Sequence, residues 1–125
     1  MAGGKILIVD DDHDIRNLLA TRLRAEGYET VFASDAMTAV TVARTERPAV
    51  ILLDIGLPGG TGLVVMDRLK NFPALAHIPI VIVSARDPIA SRESALAAGA
   101  HAFFPKPIDH TALLETVREL ASPAH

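Results

Sequence analysis

The sequence predicts an α/β protein in which a parallel sheet carries helices on both faces. Five short apolar runs alternate along the chain with five segments that read as helices. The clearest run, Ala49–Asp54, is continuously apolar up to its final carboxylate, which is typical of a strand buried on both faces of a parallel sheet. Strands and helices that alternate in this way suit a doubly wound sheet with right-handed connections.

The composition predicts a soluble domain with an aliphatic core. Half of the 125 residues are hydrophobic, which excludes a disordered chain, and only 4% are aromatic. A net charge of −3 argues against binding to nucleic-acid phosphates, so we expect no direct DNA binding. The absence of cysteine excludes disulfide and thiol chemistry. No apolar run approaches the roughly 18 residues of a membrane span, and we expect a cytoplasmic protein without membrane contact.

The five apolar runs define the predicted strands. The second run is more polar than the others, so we expect it near an edge of the sheet. Turn formers bound each run, and a glycine-rich loop follows the third. In chain order, the predicted strands are Lys5–Asp10, Tyr28–Ala33, Ala49–Asp54, Ile78–Ser84 and Ala102–Lys106.

Capping residues and glycines bound the predicted helices. The first spans about Asp12–Ala25 and stops before Gly27, and the fourth begins at Asp87-Pro88 and stops at Gly99. The second ends near Arg44. The third is predicted over Leu63–Leu69, and the fifth carries an apolar stripe through Leu120. Predicted N-caps are Asp12 for the first helix, Ser34 or Asp35 for the second, Asp87 for the fourth and Asp109 for the fifth.

Five strand–helix units suit the strand order 2-1-3-4-5, the flavodoxin-like (βα)5 arrangement. We expect residues 1–125 to form a single domain. The last residues, 122–125, are predicted to be a disordered tail or the start of a linker.

Chemically active residues are predicted where the strands end. Asp10 and Asp11 close the first strand, Asp54 the third, Ser84 the fourth and Lys106 the fifth. The carboxyl ends of parallel strands share one edge of the sheet, so these five residues should converge there. We call this edge, with these five residues, the rim.

The charges of the rim predict a divalent metal ion. Three ionised carboxylates beside one lysine carry a charge of about −2, and a bound cation relieves their repulsion. Oxygen ligands favour Mg²⁺, with Mn²⁺ as a substitute. Such a site can accept a phosphoryl group, for which Asp54 is the candidate nucleophile. Ser84 and Lys106 are then expected to hold the phosphoryl oxygens.

These residues, in this order, resemble the receiver domains of two-component response regulators. No single motif is specific, but the resemblance covers essentially the whole chain, and the order and spacing of the motifs on the strand ends are characteristic. The matching pieces are Val9-Asp10-Asp11, Asp54 followed by Pro58 and Gly62, Ser84-Ala85, and Lys106-Pro107.

The resemblance implies a phosphoacceptor. Asp54 would take a phosphoryl group from a phosphohistidine on a sensor histidine kinase or a phosphotransfer protein. Asp11 would bind Mg²⁺ directly, Asp10 through water, and Gly56 through its carbonyl, with Asp54 completing the set. In the family, the lysine–proline peptide that corresponds to Lys106-Pro107 is usually cis.

The resemblance also assigns residues to phosphoryl binding, switching and lifetime. Ser84, Ala85 and Lys106 would hold the phosphoryl group. Phe103 would change rotamer as Ser84 moves, and the face formed by the fourth helix, fifth strand and fifth helix would then bind a downstream target. Simple core packing of Phe103 is the alternative. Gly56 and Arg86 would tune the lifetime of the phosphoryl group. Such a domain acts as a monomer or as a phosphorylation-dependent dimer.

Other interpretations of the acidic residues stay open at this stage. Asp10-Asp11-Asp12 could be a helix-start cluster that the helix dipole stabilises, or Asp11-Asp12 could be the metal pair instead of Asp10-Asp11. Asp10-x-Asp12 also resembles the nucleophile motif of haloacid-dehalogenase-type phosphatases, an enzyme reading that gives Asp54 no role. A pseudo-receiver that binds partners without taking phosphate is the third alternative.

Overall fold

The computed structural model describes residues 4–56, 62–84 and 88–121, and it confirms the predicted alternation of strands and helices. The elements are β1 Lys5–Val9, α1 His13–Ala25, β2 Glu29–Ala33, α2 Ala36–Glu46, β3 Val50–Asp54, α3 Gly62–Lys70, β4 Ile80–Ser84, α4 Pro88–Ala97, β5 Ala102–Pro105 and α5 His110–Ala121.

The sheet is parallel, and its strand order is β2-β1-β3-β4-β5, as predicted. The more polar β2 is an edge strand, and every residue of the central β3 is buried. Leu53 of β3 lies opposite Val9 of β1 and Ile82 of β4, so the carboxyl ends of neighbouring strands are in step. This register brings the rim residues to one edge.

Alternate residues of the inner strands face two separate cores. Leu7 and Leu53 belong to a core that is covered by α2, α3 and α4, whereas Ile8 and Leu52 belong to one covered by α1 and α5. Each fully buried aliphatic side chain contributes about 1.5–3 kcal/mol to folding. Because β3 packs on both sides, the backbone that carries Asp54 is held firmly from both faces of the sheet.

The helix caps follow the predicted capping residues. The Asp12 carboxylate accepts hydrogen bonds from the Asp14 and Ile15 amides at 2.9 and 3.2 Å and so starts α1. Of the two candidates for α2, Asp35 is the cap, since it accepts from the amide of Thr38 at 2.8 Å. At α5, the Asp109 carboxylate accepts from the amide of Ala112 at 3.1 Å.

The structure corrects several element boundaries. β4 begins at Ile80 rather than Ile78, because the amide of Ile78 donates to the Leu75 carbonyl at 3.0 Å and so belongs to the preceding turn. β1 and β5 stop at Val9 and Pro105, one residue earlier than predicted, and α2 continues to Glu46. The predicted cap Asp87 and the tail 122–125 lie outside the described residues. No helix within the described ranges is long and apolar enough to cross a membrane.

Candidate functional site

Five strand-end residues meet at the rim, as their positions in the sequence predict. Asp10 and Asp11 follow β1, Asp54 ends β3, Ser84 ends β4 and Lys106 follows β5. Asp10, Asp54 and Ser84 are buried, although all three are polar. Buried polar groups cost free energy unless they are paired, so their concentration at one edge indicates a functional site.

Three carboxylates of the rim form one group. One oxygen each from Asp10, Asp11 and Asp54 can be chosen so that all lie within 4.8 Å of one another. Asp12 is committed to capping α1, so the geometry favours Asp10-Asp11 over the alternative pair Asp11-Asp12. Asp11 is exposed, whereas Asp10 and Asp54 are buried, so the group opens to water on one side.

This donor set fits a hard divalent cation. Carboxylate oxygens are suitable ligands, and Mg²⁺ commonly keeps several waters, which the exposed side of the group can supply. Both oxygens of Asp10 already accept hydrogen bonds, one from the Asp12 amide at 2.9 Å and the other from Lys106 at 2.9 Å. No such bond engages the Asp11 carboxylate among the described residues, so Asp11 is better placed than Asp10 to bind a cation directly.

Lys106 joins two carboxylates of the rim. Its ammonium lies 2.9 Å from Asp10 Oδ2 and 3.6 Å from Asp54 Oδ2. Burial opposes the charged form, but the hydrogen bond to Asp10 and the attraction of both carboxylates outweigh it, so the pKa of Lys106 is raised. The lysine therefore stays protonated and offers a fixed positive charge beside Asp54.

Asp54 lies in an environment that disfavours its own negative charge. Burial raises the pKa of its carboxyl, and the charges of Asp10 and Asp11 act in the same direction. The amide of Gly56, which donates to Asp54 Oδ1 at 3.1 Å, and the charge of Lys106 oppose this only in part. A cation at the rim would offset the repulsion and keep Asp54 ionised.

Gly62 determines how the chain re-enters α3 behind Asp54. Its amide donates to the Ile55 carbonyl at 2.7 Å, and a Cβ at this position would lie 2.6 Å from the Asp54 carbonyl oxygen. Only glycine permits this approach of backbone to backbone. The sequence marks Gly62 as part of a motif, but its contact with Asp54 depends on the tertiary structure.

Phe103 is buried on β5 and carries a contact that the sequence did not reveal. The ring is 5% exposed, lies opposite Ile82 in the register and belongs to the core beneath α2, α3 and α4. The guanidinium of Arg92 on α4 lies 5.6 Å from the ring centroid, within the range of a cation–π contact. No sequence signal pairs these residues, because the contact depends on how α4 packs against β5.

The remaining predicted site residues fall into two groups. Gly56 follows β3 and its amide contacts the Asp54 carboxylate. The peptide between Lys106 and Pro107 is cis, as the resemblance implied. The Lys106 amide donates to the Ser84 carbonyl at 2.9 Å, which ties the ends of β4 and β5 together. Ala85 and Arg86 lie outside the described residues, as does Pro58.

Fold and site together define a class of protein: a five-stranded doubly wound domain whose acidic site lies at the carboxyl ends of its strands. The family model of the response regulator receiver domain matches residues 6–118, and the chain belongs to that family. It is thus a receiver domain of a response regulator in two-component signalling.

Curated relatives and solved structures agree with this assignment. The chain is 41% identical over 116 residues to the response regulator PleD of Caulobacter vibrioides, covering 93% of this chain and 26% of that protein. It is 34% identical to the response regulator MprA of Mycobacterium avium, covering 93% and 50%. This chain therefore spans a quarter to a half of the length of these relatives.

Two solved structures show the same fold. The chemotaxis response regulator CheY4 of Vibrio cholerae superposes with a TM-score of 0.87 at 27% identity, covering 95% of this chain and 99% of that one. NtrX of Brucella abortus, solved in complex with ADP, has a TM-score of 0.87 at 34% identity, with coverage of 96% and 27%.

Proposed function

We propose that this receiver domain takes a phosphoryl group onto the Asp54 carboxylate. The observation that carries the proposal is the arrangement around that carboxylate: two further acidic side chains, Asp10 and Asp11, share one group with it, and the Lys106 ammonium is 3.6 Å away. Phosphoryl transfer needs mainly positioning and charge stabilisation, and this arrangement supplies both.

The transfer moves one phosphoryl group from nitrogen to oxygen. An Asp54 carboxylate oxygen attacks the phosphorus of a phosphohistidine on a sensor histidine kinase or phosphotransfer protein. The bond between phosphorus and the imidazole nitrogen breaks, and the imidazole leaves with that electron pair and takes up a proton. The product is an acyl phosphate on Asp54.

The rim residues have separate roles in this step. The Lys106 ammonium turns partly away from Asp10 and pairs with the incoming phosphoryl oxygens. It lies 2.9 Å from Asp10 and only 3.6 Å from Asp54, so it is within reach of a group on the Asp54 carboxylate. Ser84 and the backbone at Ala85 hold the other phosphoryl oxygens. Asp10, Asp11, Asp54 and the Gly56 carbonyl would hold Mg²⁺, or Mn²⁺ in its place. When bound, the cation neutralises charge on the carboxylate and phosphoryl oxygens.

Signal output is proposed to pass from the rim through Phe103. Phe103 is buried beside β4, the strand that ends at Ser84, and this supports a change of its rotamer when Ser84 moves. The face formed by α4, β5 and α5 would then bind a downstream target. Gly56 and Arg86 are proposed to tune the lifetime of the phosphoryl group. The single-domain assignment, the cytoplasmic location and the dimerisation on phosphorylation stay predictions.

Phosphorylation of the isolated domain tests the proposal. We expect incubation with Mg²⁺ and a small donor such as phosphoramidate to add the mass of one phosphoryl group, measured on the intact protein. The label should survive acid, be lost in base, and be absent from Asp54→Asn. Asp14→Asn is the matched control, because Asp14 is an exposed acid of the first turn of α1 outside the carboxylate group.

Two outcomes would contradict the proposal. A label that persists in Asp54→Asn would favour a phosphatase-type nucleophile at Asp10, which neither the family match nor the carboxylate geometry supports. No label in the wild type, with metal bound, would favour a pseudo-receiver.

A further inference from the structure

A groove runs along α2 on the side of the molecule that faces α3. Two adjacent hollows of about 380 and 510 Å³ share Thr41, Arg44 and Phe72 as lining residues. The first extends to Met37 and the second to Arg47. Met37, Thr41 and Arg44 recur at helical spacing on one face of α2, so the groove follows the helix for roughly 15 Å. We call it the α2–α3 groove.

Exposed apolar side chains line the α2–α3 groove. Met37 is 79% exposed, the highest fraction among the exposed large hydrophobic residues of the described ranges, and Phe72 is 39% exposed. Most large apolar side chains of this chain are buried in the two cores, so two exposed ones along one groove are notable. Methionine adapts its shape to different partners, and phenylalanine supplies a rigid contact surface.

The charge of the groove is opposite to that of the protein. Arg44, Arg47 and Arg68 line it, and neither hollow has an acidic lining residue, although the chain as a whole carries a net charge of −3. Ion pairs of the described residues involve other basic side chains, as in Lys5 with Glu46 at 2.7 Å and Arg118 with Glu26 at 3.0 Å. None of the three groove arginines makes an ion pair with the residues that the structure describes.

Two of these arginines are held in place without being neutralised. The Arg44 guanidinium lies 5.2 Å from the centroid of the Phe72 ring, and the Nε–H of Arg47 donates to the Arg44 carbonyl at 3.1 Å. Both contacts leave further N–H donors available. An arginine that is already ordered loses less conformational entropy when it binds a carboxylate.

We propose that the α2–α3 groove docks an acidic segment of a partner protein that carries large apolar side chains. Carboxylates of the segment would pair with Arg44 and Arg68, and an apolar side chain would pack on Met37 and Phe72. A nucleic acid fits less well, because phosphate binding depends on a longer basic track. The surface is separate from the rim, so the proposal does not depend on phosphorylation of Asp54.

A synthetic peptide tests this surface on the intact chain. The probe is a fluorescein-labelled amphipathic peptide of about twelve residues made of Glu and Leu, which matches the length of the groove. Two comparison peptides replace Glu with Lys or Leu with Ser. By fluorescence anisotropy we expect the Glu/Leu peptide to bind at least about tenfold more tightly than either.

Charge variants locate the binding. Arg44→Gln with Arg68→Gln should weaken binding of the Glu/Leu peptide by about fivefold or more. Arg22→Gln with Arg24→Gln is the matched control, since both lie in the last turn of α1 and their replacement removes the same number of charges. Asp54→Asn should bind like the wild type. Amide chemical shifts in NMR spectra should change around Thr41 and Phe72.

Several results would overturn the proposal. Equal loss of affinity in the double variant of Arg22 and Arg24 would show general charge attraction. Shift changes away from Thr41 and Phe72 would place the peptide elsewhere. Failure of the Glu/Leu peptide to bind better than the comparison peptides would exclude acidic docking. An oligonucleotide of similar charge that binds the groove more tightly would identify a phosphate site instead.

Discussion

Replacing Gly62 with alanine should displace the backbone that carries Asp54. The new Cβ would lie 2.6 Å from the Asp54 carbonyl oxygen and 2.8 Å from Ile55 Cα, where ordinary contacts begin near 3.4 Å. Both atoms are backbone, so the end of β3 or the start of α3 must move by roughly 0.8 Å. Overpacking of this kind costs about 1–3 kcal/mol, which the better helix propensity of alanine reduces by up to ~1 kcal/mol.

The net loss of stability is expected to be about 1–2 kcal/mol. For a chain of 125 residues, this lowers Tm by roughly 4–8 °C. Thermal unfolding followed by circular dichroism measures the change. The same shift displaces the Asp54 carboxylate relative to Lys106 and the other acids, so the rate of labelling by phosphoramidate should also fall.

Gly99→Ala separates stability from site geometry. Gly99 has φ +106°, which costs an alanine about 1–2 kcal/mol, and the nearest atom to its Cβ would be the flexible Lys70 Cε at 3.2 Å. This variant should lose similar stability yet keep the wild-type labelling rate. If Gly62→Ala retained the wild-type Tm and labelling rate, the close approach of α3 to Asp54 would not constrain the site.

Two further changes probe the charges of the rim. Burial raises the pKa of Asp54, so the native state holds this proton more tightly than the unfolded chain, and stability falls as the pH rises through the folded pKa. In metal-free buffer, Asp54→Asn should therefore raise Tm at neutral pH. This gain in Tm should vanish when the pH falls below the ordinary pKa of an aspartate carboxyl. A gain in Tm that is constant with pH would contradict the reasoning. Lys106→Met removes the cation 2.9 Å from Asp10, so Mn²⁺ titrations should show about three- to tenfold tighter binding together with slower labelling. Weaker Mn²⁺ binding would show that Lys106 supports the cation rather than competing with it.

Local signals in the sequence were sufficient for most of the fold. Continuous apolar runs predicted the parallel strands, and aspartates at helix starts predicted the caps of α1 and α5, whereas Ser34 and Asp35 both stayed candidates for α2. Boundaries were less accurate. The apolar pattern alone assigns Ile78 and Pro79 to β4. In the structure, the hydrogen bond from the Ile78 amide to the Leu75 carbonyl makes Ile78 part of the preceding turn, and β4 begins at Ile80.

The candidate site was also largely visible in the sequence, because the topology of a parallel sheet converts strand ends into spatial neighbours. That rule predicted the meeting of Asp10, Asp54 and Lys106 from positions far apart in the chain. It could not predict that Lys106 lies nearer to Asp10 than to Asp54. That preference depends on sub-ångström placement of side chains.

The sequence by itself determined the alternation of strands and helices, the central place of β3 and which polar groups reach the rim, since these follow from hydrophobic period and strand order. Only the tertiary structure decided the approach of Gly62 to Asp54, the contact of Arg92 with Phe103 and the contact of Arg44 with Phe72. The physical reason is that these contacts join elements whose relative position is determined by packing in three dimensions, and no local pattern encodes the distance between them.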